Sequence, residues 1–241
     1  MLFYILECGI YLLNIAKCDI INLYFIFWNM ELTMNLNPQD VVVVLKSLID
    51  GNAGQVRQKA DDAAEEEEME SKFLAASSSY AQLGEGLAMS ASQVFRSVER
   101  AEDARLIYRL SPPSAAANMY RKHQPKFWPI RESLKEFLIH GVKYAFPVHR
   151  GGLVRGMPTA HAAPPIKRQI AESSDLPPVW PDAEGTIRGL EFSPLYKNVP
   201  SAARRDPKLY ELLALVDAIR DGRAREREIA IRELTARIDE L

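Results

Sequence analysis

YAQLGEGLAMSASQVFRSVERAEDARL, residues 80–106, holds the densest local signals in this 241-residue chain. It predicts a short helix from Tyr80 to about Gly86, a tight turn at Leu87-Ala88-Met89, and a second helix from Ser90 to about Ala104. Ser90-Ala91-Ser92-Gln93 is a capping box. The Ser hydroxyl can accept from the Gln93 N–H while the Gln side chain reaches back. Val94, Val98 and Ala101 follow at steps of four and three, one face of a helix. The other face carries Ser92, Gln93, Arg96, Ser97 and Arg100. Hydrogen-bonding side chains at the start of a second, exposed helix are what the DNA major groove requires. In the first helix Ala81, Leu83, Leu87 and Met89 are candidates for the core, and Gly84 and Gly86 each weaken it by about 1 kcal/mol relative to Ala.

Just beyond this stretch, Arg105 to Leu110 alternates loosely and predicts a strand, which Ser111-Pro112-Pro113 breaks. Phe127 to Ile130 predicts the return strand. The loop between them is basic, with Arg121, Lys122, His123 and Lys126, and a basic loop at the tip of a two-stranded wing suits phosphate or minor-groove contact. An ordinary surface loop is the plainer alternative.

On the N-terminal side, Asn37 and Pro38 read as the cap and first residue of a helix over 38–49 with a broad apolar face. Four consecutive valines, 41–44, are poor helix formers, so burial has to hold it. Asp50-Gly51-Asn52 is expected to end it. Residues 54–79 read as an acidic insertion, either a solvated helix or a loop, that points away from any nucleic acid.

Further along, residues 131–144 predict an amphipathic helix with Leu134, Phe137, Leu138 and Val142 on its inner face, ended by Phe146-Pro147. Residues 147–200 hold nine of the fifteen prolines. They are too apolar for disorder, and the expectation is an extended segment wrapping the domain or a partner, with one short strand around 186–192. Arg150, Arg155 and the adjacent glycines fit either a phosphate-binding turn or a tight turn with solvated arginines. Residues 201–241 are helical: Asp206 caps, Pro207 starts, and Leu209, Leu212, Leu213, Val216 and Ile219 form a stripe up to a break at Asp221-Gly222. Ile231, Leu234, Ile238 and Leu241 then form a seam suited either to a dimer helix or to the chain's own core.

Residues 1–33 are compositionally unlike the rest. They lack the basic start and cleavage pattern of a signal peptide, and Lys17 and Asp19 interrupt them as a membrane span. The expectation is a misassigned start, with Met30 or Met34 as the native one. Net charge is −2, yet residues 90–131 carry eight Lys/Arg against three Asp/Glu, offset by the acidic run over 61–70. Two cysteines, Cys8 and Cys18, build no disulfide framework or zinc set. His149 and His161 lack metal-ligand spacing, and no phosphate-binding loop, dinucleotide fingerprint or nucleophile elbow is present. The reading is of a non-enzyme that needs no cofactor and no metal.

The order of these elements, with YAQL, the turn and S-x-S-x-V-x-R-x-V-x-R-A over 80–101, resembles the winged helix-turn-helix domain of bacterial transcription regulators, including the MarR type. ESLKEFLIHGVKYAFPVHRGGLVRGMPTAHAAPP, residues 132–165, is similar to the tail of a group of bacterial proteins that join such a domain to a Pro-rich extension. The resemblance implies a mainly α fold with a small β-wing and a cytoplasmic, sequence-specific DNA-binding regulator. It implies that Ser90, Ser92, Gln93, Arg96 and Arg100 face double-stranded DNA, with Gln93 suited to adenine, Arg96 to guanine and Arg100 to phosphate. The expected arrangement is a winged helix-turn-helix domain over 34–146, a Pro-rich segment over 147–200 and a helical region over 201–241, paired as a homodimer through the C-terminal helices. The insertion at 54–79 and the lengthened wing depart from the family pattern and bear on how DNA is reached. The competing reading is a protein-interaction module, antitoxin-like or an adaptor, built on the same fold.

Overall fold

Helix α1 (Pro38–Lys59) is deeply packed over its first turns, and Val41, Val42, Val43 and Val44 are each no more than 1% exposed. Full burial of a valine is worth about 1.5–3 kcal/mol. That outweighs a propensity cost of under about 0.7 kcal/mol, so burial decides the conformation. The helix does not stop at Asp50-Gly51-Asn52 as expected but runs to Lys59. Gly and Asn are penalties rather than stops, and Lys46 spans the expected end with a 2.8 Å bond to Asp50. This computed structural model describes residues 36–59, 80–109, 127–170 and 176–241. The apolar leader, the acidic run and the basic loop with Arg121, Lys122 and Lys126 lie outside the described residues.

Helices α2 (Tyr80–Leu87) and α3 (Ala91–Asp103) follow, joined by the expected tight turn. Strands β1 (Ile107–Arg109) and β2 (Phe127–Pro129) pair antiparallel, with Tyr108 opposite Trp128. Next comes a single rod: α4 (Arg131–Glu136), a π-helical stretch (Phe137–Gly141) and α5 (Val142–Ala145). Leu134, Leu138 and Val142 are buried along it, as their spacing predicts.

The Pro-rich region corrects the expectation of an extended wrap. Strand β3 (Arg150–Pro158) pairs antiparallel with both β4 (Pro178–Pro181) and β5 (Ile187–Phe192), and β4 pairs parallel with β5, closing a small three-stranded barrel. A 3-10 turn (Ala160–Ala162) and the short α6 (Pro164–Lys167) lie in the crossover. Glycines permit this closure. A Cβ on Gly156 would strike the Trp180 carbonyl, and one on Gly189 the Pro177 carbonyl. Arg150 and Arg155 therefore sit on a strand and not in a phosphate-binding turn. Arg150 Nε bonds Asp221 at 2.6 Å, and Arg155 Nε donates to the Gly185 carbonyl at 2.7 Å.

Three helices complete the chain: α7 (Val199–Arg205), α8 (Pro207–Asp221) and α9 (Ala224–Glu240). Asp206 caps α8 by accepting from the N–H groups of Lys208 and Leu209. The apolar stripe of α8 is buried as expected. So is the seam of α9: Leu234 and Ile238 are fully buried and pack with α8 in the one core, and Ile231 is half-buried against it. That seam is occupied within the chain, the second of the two uses expected for it.

A buried polar node ties the barrel to α8. Asp217 Oδ2 accepts from the Trp180 indole at 2.6 Å and the Thr159 hydroxyl at 2.8 Å, and Asp217 Oδ1 accepts from Arg220 at 2.7 Å. Arg220 Nε also donates to the Phe146 carbonyl at 2.9 Å. Burial pushes the Asp217 carboxyl up, while Arg220 and the two donors pull it back. Leu36–Leu241 is one compact unit, mainly helical with a two-stranded and a three-stranded sheet. Among the described residues no helix is long and apolar enough to cross a membrane.

Candidate functional site

Helix α3 begins with the capping box its sequence predicts. Ser90 Oγ accepts from the Gln93 N–H at 3.2 Å, and the Gln93 side-chain oxygen accepts from the Ser90 N–H at 2.9 Å. One face of the helix is buried: Val94, Ser97, Val98 and Ala101. Ser97 departs from its expected place on the outer face. It is fully buried against α1, where Gln39 donates to its hydroxyl at 3.5 Å.

Both helices of this unit end in the same way, and neither uses glycine. At the end of α2, Met89 N–H bonds the Gly84 carbonyl, Ala88 N–H bonds the Glu85 carbonyl, and Ala88 has φ of 53°. At the end of α3, Leu106 N–H bonds the Ala101 carbonyl, Arg105 N–H bonds the Glu102 carbonyl, and Arg105 has φ of 60°. Each is a Schellman closure with its left-handed residue one past the cap. Gly84 has a specific task in the first of them. A Cβ there would lie 2.6 Å from the Met89 carbonyl oxygen, so the residue expected only to soften α2 is what lets the turn close.

Aromatic contacts hold the three elements together. The Tyr80 ring of α2 stacks on Phe127 of β2 at 5.6 Å and meets Phe95 of α3 edge-on at 5.6 Å. Burial raises the Tyr80 phenol above its usual range, against the pull of Arg109. Arg109 in turn pairs with Glu102 of α3.

The expected site residues divide into three groups. Ser90, Ser92, Gln93 and Arg96 are all exposed on the first turns of α3. Ser92 and Arg96 make no hydrogen bond to other described residues, so their polar groups are available to a ligand. Gln93 has its carbonyl oxygen committed to the cap, which leaves its NH2 to donate outward. Arg100 corrects the expectation. Its guanidinium turns inward onto Asp40 of α1, with Nε to Oδ2 at 2.8 Å and Nη2 to Oδ1 at 2.6 Å. Asp40 is fully buried, and a buried carboxylate needs a cation more than the solvent-facing side of the helix does. Those hydrogen bonds hold the Arg100 guanidinium above its ordinary range despite its partial burial. Arg121, Lys122 and Lys126 form the third group and lie outside the described residues.

The outer stripe of α3 is thus polarised. Ser92 and Arg96 occupy its N-terminal half, while Glu99 and Asp103 follow on the same stripe at helical spacing. Only the first two turns favour a polyanion.

Three contributors escape local sequence reading: Asp40, Asn198 and Arg205. Asn198 Nδ2 donates to the Ala88 carbonyl at 2.6 Å, and Arg205 Nη1 donates to the Glu85 carbonyl at 2.9 Å. Nearby, Lys46 bridges Asp50 and Asp206 at 2.8 and 2.9 Å. Burial alone would lower the Lys46 pKa, but its two carboxylates together hold it above the ordinary value. The C-terminal region therefore grips the turn that leads into α3, from more than 100 residues away in sequence. Among the described residues no group of three His, Cys, Asp or Glu side chains is placed to hold a metal. No known family model, curated protein or solved structure matches this chain.

Proposed function

We propose that this protein is a sequence-specific DNA-binding regulator of the winged helix-turn-helix kind, with α3 as its major-groove helix and the β1–β2 ladder as its wing. The observation that carries this reading is the exposed first half of α3. It presents Ser92, Gln93 and Arg96 on a helix fixed from behind by a capping box, a buried apolar face and the Asp40–Arg100 pair. A groove-reading helix needs free donors and acceptors near its N-terminus and a rigid backing, since a loosely held side chain cannot discriminate bases.

The roles follow from chemistry. Arg96, whose guanidinium is unengaged by the described residues, is suited to the O6 and N7 acceptors of guanine. Gln93 can donate to a purine N7 with its NH2 while keeping the cap, and reads adenine at two points only by releasing its oxygen from Ser90. Ser92 can contact base or phosphate. Arg100 is a brace.

Selection of duplexes from a randomised pool tests this, followed by affinity measurements on the selected and a scrambled duplex at several salt concentrations. The expectation is a selected site bound tightly, with Gln93→Ala and Arg96→Ala each losing about 1–3 kcal/mol on that site and little on the scrambled one. Equal binding of selected and scrambled DNA by the unaltered protein overturns the reading.

A further inference from the structure

We propose that Lys197 and Arg205, at the two ends of α7, form a second phosphate-contact patch. It extends the α3 face and seats the DNA backbone beside the α2–α3 turn. This rests on the DNA-binding reading above and adds to it a contact element from the opposite end of the chain.

The placement comes from two hydrogen bonds. Asn198 reaches the Ala88 carbonyl and Arg205 reaches the Glu85 carbonyl, so both ends of α7 lie against the turn that delivers Ser90 and α3. Lys197 is the neighbour of Asn198, and both Lys197 and Arg205 are exposed.

Charge selects the ligand. Residues 197–206 carry Lys197, Arg204, Arg205 and Asp206. Asp206 is engaged by Lys46 and by the start of α8, and Arg204 is engaged by Asp182 and Glu184. Lys197 and Arg205 pair with no carboxylate of the described residues. The Arg205 bond to Glu85 goes to a neutral carbonyl, so no carboxylate of the described residues offsets its charge. Two cations with no carboxylate partner among the described residues flank the entrance to a helix whose outer stripe turns acidic in its C-terminal half. Together with Arg96 they put three exposed cations on the elements that meet at this turn, which also carries the exposed Glu85. Contacts of this kind hold a duplex in register and carry no sequence information.

The test is the salt dependence of binding to the selected and scrambled duplexes, for the full chain and for Lys197→Ala and Arg205→Gln. The glutamine keeps a donor for the Glu85 carbonyl while removing the charge. Each variant is expected to weaken both duplexes by the same factor and to reduce the slope of log affinity against log salt by about 1. Unchanged slopes with intact discrimination in the unaltered protein overturn this inference and leave the DNA-binding reading standing. Loss confined to the selected duplex, with unchanged slope, also overturns it, because the residues would then act through α3. Failure of the unaltered protein to bind any duplex overturns both.

Discussion

Arg100 of α3 grips Asp40 of α1 at two points, 2.8 and 2.6 Å, across 60 residues of sequence, and the Asp40 Oδ2 that receives Arg100 also accepts the Asn37 N–H at 2.7 Å. One carboxylate thus starts α1 and fixes the azimuth of the exposed α3. Arg100→Ala leaves a buried carboxylate without its cation, and the expected loss is about 3–5 kcal/mol of folding stability. Arg96→Ala, four residues earlier on the exposed side, should change stability by less than about 0.5 kcal/mol. Urea denaturation of both variants measures the contrast. Equal stabilities would mean that Arg100 is not a brace.

Gly84→Ala sets two effects against each other. Alanine favours the helix by about 1 kcal/mol, but its Cβ would sit 2.6 Å from the backbone oxygen of Met89, which has no flexible end to move aside. The steric term should win, with a net loss of about 1–3 kcal/mol. A thermal melt checks the sign.

Ala88→Gly should act in the opposite direction. Ala88 holds φ of 53°, a conformation costing an L-residue about 1–2 kcal/mol that glycine largely avoids. The variant should gain up to about 1 kcal/mol, read from the denaturation midpoint. Its carbonyl stays available to Asn198, so the grip of α7 on the turn should persist.

Tyr210 gives an alkaline signature. Its hydroxyl donates to the Pro158 carbonyl at 2.8 Å, and burial pushes its pKa from 10.0 up to about 12. The folded state therefore holds this proton more tightly than the unfolded one. The associated stability is complete below pH 10 and declines as pH rises toward about 12. Tyr210→Phe should reduce the slope of stability against pH in that window, measured by denaturant titration at successive pH values. An unchanged slope would place the alkaline loss elsewhere.

Local features are legible in the residues themselves. The capping box at Ser90 and Gln93, the buried spacing of Val94, Val98 and Ala101 and the Asp206–Pro207 helix start all depend on residues within a few positions of each other. The barrel is mostly illegible in them, with only its β5 strand expected. Its strands run through prolines and glycines that ordinarily signal loops. What makes them strands is closure upon one another, at approaches only glycine allows.

The amino-acid sequence by itself determined where α3 begins, which of its faces is apolar and that Ser92, Gln93 and Arg96 lie opposite that face. These follow from short-range hydrogen bonding and a period of about 3.6 residues. Only the tertiary structure decided that Arg100 turns inward, that the α9 seam is spent on the chain's own core, and that α7 holds the turn before α3. Each depends on a partner far away in the chain: a buried carboxylate that demands a cation, an apolar stripe that finds α8, and backbone carbonyls at Glu85 and Ala88 that accept from Arg205 and Asn198.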